Sequence, residues 1–404
     1  MNPIKKTYCR AFQSAFHAAI PVLPYREPKI MNSVKKVAPM LNCRGMKNVL
    51  LVTDKGVRAA GLTEGLENAL KDFGISCFVY DKTNANPTVN NVEEARKLYI
   101  TNNCECIIAF GGGSSIDCAK AVGARIARPD KKLEDMKGIL KVMKKTPPMI
   151  AIPTTAGTGS EATLAAVITD PKTHHKYPIN DFFLIPDIAV LDPTVTYSMP
   201  PSLTATTGMD ALTHAVEAYI GNSTTEETRI MALRAVRLIF ENLETAYNEP
   251  TNKSARANML KASFLAGQAF SQSYVGYVHA VAHSLGGQYN IPHGLANAVL
   301  LPCVLEEYGS AIYEKLNELS IAAGLTLPGD DIVCGANRFI TEIKWMNRNM
   351  GIPQRLKGIN LKDIPMMAAR ADKEANPLYP VPVLMRAEEL EKFYYMVADW
   401  SRDE

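Results

Sequence analysis

The sequence predicts a two-domain protein, an α/β domain built on a parallel sheet over residues 1–199 and an all-α domain over residues 200–404. Three observations carry this. Short continuous apolar runs alternate with stretches of helical period before residue 199, as in strands joined by crossover helices. Pro200 and Pro201 then break the chain. Beyond them nearly every segment has helical spacing.

In the first half, NVLLVTD (48–54) is a buried strand, followed by helical spacing through Ala60, Leu66, Leu70 and Phe73. ISCFVYD (75–81) is strand-like, a helix over 91–102 leads to CIIAFGGG (106–113), and MIAIPTT (149–155) is another buried run. Hairpin-like β pieces are expected around Ala165–Thr169 and Ile188–Leu191. In the second half helices are predicted over 203–220, 226–247, 254–273, 305–323 and 332–349. No repeat or low-complexity tract is present.

Composition narrows the function. The 404 residues are 47% hydrophobic and 21% charged, enough for two domain cores and unlike a disordered chain. A net charge of +3 gives no electrostatic case for nucleic acid or an anionic membrane. No apolar run approaches the roughly 20 residues that span a bilayer. The start is basic: Glu27 is the only acid before Lys47, against Lys5, Lys6, Arg10 and further cations. That composition suits a targeting segment. However, Gln13, Ser14 and His17 interrupt its apolar part, which ends at Pro21 and Pro24 without a small-residue cleavage site. It therefore reads as a basic surface with a short packed segment. The eight cysteines form no Cys-x-x-Cys pair and read as reduced, mostly buried thiols, which implies the cytoplasm.

Gly111-Gly112-Gly113-Ser114-Ser115 stands where a buried strand hands over to a helix. Glycines there let the backbone approach a pyrophosphate at the helix N-terminus. The segment matches neither GxGxxG nor the P-loop, and alone it is equally a tight turn. Pro153–Glu161 (PTTAGTGSE) follows the next strand with hydroxyls and backbone donors suited to phosphate, ribose or carboxamide. Two such loops after adjacent parallel strands face one sheet edge, where ligands bind in such folds. Asp117, one turn into its helix, suits a sugar or base hydrogen bond better than a phosphate. Asp54 ends the first strand. It either accepts from an adenosine ribose, favouring NAD over NADP, or caps the following helix. Lys176 lies in a polar turn after His174 and His175, which read as solvent-facing.

In the second half, TTGMDALTHAVEAY (206–219) puts Asp210 and His214 on one helix face, and YVHAVAHSLGG (277–287) does the same for His279 and His283. His293 follows Pro292. A buried histidine is usually a hydrogen-bonded core residue, but several on apolar helices beside a carboxylate suggest a divalent cation. HAVAH lacks the glutamate of HExxH, which disfavours a zinc peptidase. One carboxylate and three imidazoles suit Fe²⁺ or Zn²⁺ alike.

These motifs together resemble the iron-containing (group III) NAD-dependent alcohol dehydrogenases, and the likeness runs from about residue 20 to the C-terminus. It rests on GGGSSIDCAK (111–120), PTTAGTGSE, the TTGMDALTHAVEAY helix and the HAVAHSLGG…PHGLANA segment. The resemblance implies a dehydroquinate synthase-like architecture, with a dinucleotide-binding domain, a helical metal-binding domain and an active site in the cleft between them. It implies Asp210, His214, His279 and His293 as ligands of Fe²⁺ (or Zn²⁺), with His283 a non-ligand beside the nicotinamide. Asp54, Asn86, Gly113, Ser114, Asp117, Thr154, Thr155, Thr158 and Lys176 match NAD-contacting positions. Family members commonly form dimers and sometimes larger assemblies.

The implied reaction interconverts a primary alcohol and its aldehyde by hydride transfer to NAD, with a Lewis-acid metal lowering the alcohol's pKa. His283 either relays the hydroxyl proton or packs on the cofactor. Ala165 and Val167 occupy the strand that lines the family's pocket, and Phe270 its opposite wall. Diol-specific relatives carry a polar amide where Ala165 stands, so simple primary alcohols are expected. The alternatives are a glycerol or diol dehydrogenase, a dehydroquinate-synthase-like NAD-dependent lyase, and a non-catalytic protein that kept the fold.

Overall fold

A computed structural model describes residues 3–171 and 175–399. The chain divides into two compact units, one of Pro24–Met199 and one of Met1–Leu23 with Pro200–Glu404.

Among the described residues the Pro24–Met199 unit holds nine strands: β1 (Lys29–Met31), β2 (Asn48–Val52), β3 (Ser76–Tyr80), β4 (Cys106–Gly111), β5 (Gly138–Ile139), β6 (Met149–Pro153), β7 (Ala165–Asp170), β8 (His175–Asn180) and β9 (Ile188–Val190). Six form one sheet in the order β1-β9-β6-β4-β2-β3, paired in parallel throughout. Alternate residues of a strand point to opposite faces, so a sheet covered on both sides reads as a continuous apolar run. Leu50 and Val52 accordingly pack on one face with Val92, Ala95, Ile116 and Val122. Val49 and Leu51 pack on the other with Val37, Leu41, Leu66 and Leu70. In register, Gly111 of β4 faces Pro153 of β6, so the two glycine-rich segments leave the sheet level with each other.

Three local expectations are corrected. Ile188–Leu191 is not a hairpin piece: β9 enters the main sheet between β1 and β6, where all three of its residues are buried. The hairpin partner of β7 is β8, which pairs with it antiparallel in a separate three-stranded sheet. Lys176 is therefore on a strand opposite Thr169, half-buried, while its neighbours Tyr177 and Ile179 enter the core. Alternation hidden behind Lys176 and Pro178 reads as a polar turn. His174 lies outside the described residues, as does the side chain of His175. The helix expected over 305–323 is two helices, His293–Tyr308 and Tyr313–Ala322, parted at Gly309 with a φ of +51°.

The other unit is helical. Pro201 opens the Pro201–Ile220 helix, a position where its missing N–H costs nothing. The unit continues through Glu226–Asn248, Lys253–Ser273, Tyr277–Tyr289, Ile332–Asn349, Ile364–Ala375 and Ala387–Val397. The sequence assigns residues 1–23 to the α/β domain; in the structure the described ones, 3–23, group with this unit. The Pro3–Ala19 helix buries Cys9 and Gln13. Arg10 donates to the carbonyls of Val381 (2.7 Å) and Pro382 (2.6 Å), and Gln13 to that of Tyr379 (2.7 Å). Side chains bonded to a distant loop leave no periodic signal for such docking.

Candidate active site

The Pro201–Ile220 helix is buried almost all round, as suits a central helix. It carries Asp210 and His214, 2% and 4% exposed. The Tyr277–Tyr289 helix brings His279, 2% exposed, and, one turn on, the half-buried His283. His293 is the first residue of the next helix. One ligand atom from each of Asp210, His214, His279 and His293 lies within 4.8 Å of the other three.

Neighbouring groups fix these side chains. His214 stacks between Phe270 (4.1 Å between ring centres) and His279 (4.4 Å). His293 Nε2 is 3.4 Å from Asp210 Oδ1. The amide nitrogen of Asn297 stands 2.7 Å from Asp210 Oδ1, 3.2 Å from His279 Nε2 and 3.1 Å from His293 Nε2. Three acceptors thus converge on one positively polarised group, while the oxygen of the same amide is buried with no hydrogen-bond partner. Burial and the surrounding imidazoles push His279 well below the usual histidine range, which keeps it neutral, the form that binds metal. A buried carboxylate and three imidazoles presenting lone pairs to a common focus fit a divalent transition-metal ion.

His283 does not join that focus. Its Nδ1 lies 2.6 Å from Glu374 Oε1, which also accepts the Tyr379 hydroxyl at 2.7 Å. Its ring stacks on His293 at 5.1 Å.

In the α/β unit the two glycine-rich segments touch. Gly112 caps the Gly113–Ala127 helix without a side-chain hydrogen bond to its first N–H groups. A Cβ on Gly113 would sit 2.7 Å from the Thr158 side chain, so only glycine permits this approach. The Thr154 N–H donates to the Gly111 carbonyl at 3.0 Å. Thr154 is buried, whereas Thr155 and Thr158 are half-exposed. Ser114 donates to the Ala85 carbonyl at 2.5 Å, tying the loop to the segment that holds the half-buried Asn86.

The two carboxylates expected to contact the cofactor are engaged by the chain itself. Asp54 caps the Lys55–Ala59 helix through the Val57 N–H and also accepts the Ser115 hydroxyl, each at 3.0 Å. Asp117 accepts the Ser160 hydroxyl at 2.5 Å and the Val167 N–H at 3.0 Å, binding its helix to the second loop and to β7. On β7, Ala165 and Val167 are half-exposed while Ala166 and Ile168 are buried. Burial lowers the Lys176 ammonium below its usual range.

Sequence profiles of this pattern cover nearly the whole chain. One described as iron-containing alcohol dehydrogenase matches residues 30–193, and one for the C-terminal part of the Fe-containing alcohol dehydrogenase family matches residues 204–396. The chain belongs to the iron-containing alcohol dehydrogenase family. It is 39% identical over 349 residues to the 1,3-propanediol dehydrogenase of Klebsiella pneumoniae, covering 85% of this chain and 90% of that one. It is 37% identical over 347 residues to alcohol dehydrogenase 4 of Saccharomyces cerevisiae (strain ATCC 204508 / S288c), covering 85% and 89%. A solved 1,3-propanediol oxidoreductase superposes with a TM-score of 0.88 at 36% identity, over 92% of this chain and 99% of that one. This iron-containing alcohol dehydrogenase family member is therefore a metal-dependent, NAD-linked oxidoreductase that interconverts an alcohol and an aldehyde, with the dehydroquinate synthase-like fold.

Three residues of the site escape the sequence reading. Glu217 falls one helical turn beyond His214, and Asn297 one turn beyond His293, so helical spacing from known candidates points to both. Glu374 reaches His283 across 91 residues, and no local pattern announces it.

Proposed function

We propose that the substrate is a short primary alcohol carrying a second hydroxyl, a 1,3-diol, interconverted with its hydroxyaldehyde. The reaction class rests on one observation, the Asp210/His214/His279/His293 cluster, buried but for the half-exposed His293. The substrate class rests on relatives named for 1,3-propanediol, in Klebsiella pneumoniae and in Citrobacter freundii at 40% identity. They favour the diol alternative over the simple alcohols expected from Ala165. The lyase and scaffold alternatives find no such support.

In this reading Asp210, His214, His279 and His293 hold Fe²⁺, with Zn²⁺ the other candidate. The bound groups supply polarisation of the substrate hydroxyl by the ion and hydride acceptance by NAD. The loops at 111–115 and 153–161 hold NAD through Gly113, Ser114, Thr154, Thr155 and Thr158, with Asn86 and Lys176. Asp54 favours an unphosphorylated ribose, and Asp117 keeps the second loop in place. His283, oriented by the contact of its Nδ1 with Glu374, handles the hydroxyl proton. Phe270, Ala165 and Val167 shape the substrate's surroundings. A cytoplasmic homodimer or larger homo-oligomer completes the proposal. The cysteines, all free, suit a reducing compartment, and among the described residues no helix is long and apolar enough to cross a membrane.

The test is a substrate panel with enzyme stripped anaerobically and reloaded with Fe²⁺ or Zn²⁺, following NADH absorbance. The expected order in kcat/KM is 1,3-propanediol above 1-propanol and 1,2-propanediol. Preference for 1-propanol restores the simple-alcohol reading; activity after complete metal removal ends the Lewis-acid one. Equal use of NADP refutes the role of Asp54.

A further inference from the structure

We propose that Glu217 is a positioning residue that sets the tautomer of His279 while capping the helix that carries it. This rests on the reading of His279 as a metal ligand.

The Tyr277–Tyr289 helix begins at Gly276, which has no side chain to cap its free N–H groups. Glu217, 3% exposed on the neighbouring Pro201–Ile220 helix, takes that place. Its Oε2 accepts the Gly276 N–H and its Oε1 the Val278 N–H, both at 2.8 Å. A Cβ on Gly276 would stand 2.7 Å from Oε1, so glycine is what admits the carboxylate. The same Oε2 lies 2.6 Å from His279 Nδ1.

Both Glu217 oxygens already act as acceptors of backbone N–H groups, and Oε2 acting the same way toward the ring places the hydrogen of a neutral His279 on Nδ1. The other nitrogen agrees: Nε2 faces the Asn297 amide nitrogen at 3.2 Å, a group that only donates. The opposite tautomer would set a lone pair against the carboxylate and a hydrogen against the amide. Both neighbours thus leave the Nε2 lone pair toward Asp210, His214 and His293. A carboxylate that holds a ligating imidazole in this way commonly changes metal affinity about 10–100-fold when it is lost. One side chain therefore couples the start of a helix to the donor state of a metal ligand.

The test has two readouts that do not involve activity. Zn²⁺ affinity is measured on apoprotein by competition with a chromophoric chelator, for wild type and Glu217→Gln. Separately, ¹⁵N-histidine spectra of wild-type apoprotein, with His279→Asn to assign the signal, report the tautomer. The expected results are at least a tenfold weaker Zn²⁺ affinity in Glu217→Gln and a protonated Nδ1 on His279 in the wild type. A variant that melts at lower temperature but binds Zn²⁺ as tightly as wild type makes Glu217 a helix cap only and overturns the proposal. A protonated Nε2 in wild type overturns it as well, even if the variant fails to fold. Wild type that binds no Zn²⁺ and no Fe²⁺ instead overturns the ligand reading beneath it.

Discussion

Gly294 packs so closely on the main chain of Thr206 that a Cβ on Gly294 would lie 2.4 Å from the Thr206 carbonyl oxygen. It would also lie 3.4 Å from Asp210 Cβ. The contact joins the helix that begins at His293 to the one that carries Asp210, and so sets the distance between two of the four donors. Gly294→Ala leaves the backbone conformation allowed but forces the helices apart, because the atom in the way is main chain. Overpacking of this kind costs about 1–3 kcal/mol. The expected outcome is a lower melting temperature of the apoprotein and a weaker affinity for Zn²⁺ or Fe²⁺. Wild-type affinity in Gly294→Ala would show that the spacing is unimportant.

Asp210 is the only carboxylate among the clustered donors and the strongest counter-charge for a cation there. Asp210→Ala is expected to lower metal content toward zero and alcohol oxidation by at least about a hundredfold, since loss of a few kcal/mol of charge stabilisation has that effect. Elemental analysis and NADH formation, run on the same preparation, check both. Full activity with no bound metal would contradict the proposed role of the cluster.

The reach of the sequence differs between the units for physical reasons. Strands β2, β4 and β6 are legible because both faces of the sheet are covered, which writes unbroken apolar runs. The strand β8 is not, because Lys176 and Pro178 occupy its half-exposed and exposed positions. Asp210 and His214 are visible as a helical pair, as are His279 and His283, whereas the bonds that orient them come from remote residues. Glu374 meets His283, and Arg10 meets Val381, only after the chain has folded. Asp54 is the reverse case: its helix-cap role is local and readable, and the structure adds the Ser115 hydroxyl.

Glu374 holds His283 by a short bond to Nδ1, with Tyr379 on the same oxygen. If His283 handles the hydroxyl proton, its orientation matters to turnover but not to metal retention. A hydrogen bond to a charged group contributes about 1.5–3 kcal/mol, so Glu374→Gln is expected to lower kcat/KM about tenfold or more. Metal content should be unchanged. Unaltered kcat/KM in Glu374→Gln would leave His283 as packing.

A buried pair in the α/β unit sets a pH dependence of stability. Lys120 is fully buried, and its Nζ donates to the Thr163 carbonyl (2.7 Å), the Thr163 hydroxyl (2.9 Å) and the Ala165 carbonyl (2.9 Å). Glu161 is 1% exposed, with Oε1 bonded to nothing. Burial pushes the Glu161 carboxyl from 4.5 up to about 7, against its own backbone N–H and the charge of Lys120. Burial likewise lowers Lys120 to about 8, against Asp117 and Glu161. An acid whose pKa is raised by folding is protonated in the folded chain while the unfolded chain has already lost the proton. Its contribution to stability therefore declines as pH rises from 4.5 to about 7 and stays unfavourable above that. Glu161→Gln removes the titration and keeps the shape. Its melting temperature relative to wild type should rise between about pH 5 and pH 7.5, below the range in which Lys120 titrates. A gap that stays constant or narrows over that interval would mean that Glu161 remains ionised in the folded protein, with Lys120 as its sufficient counter-charge.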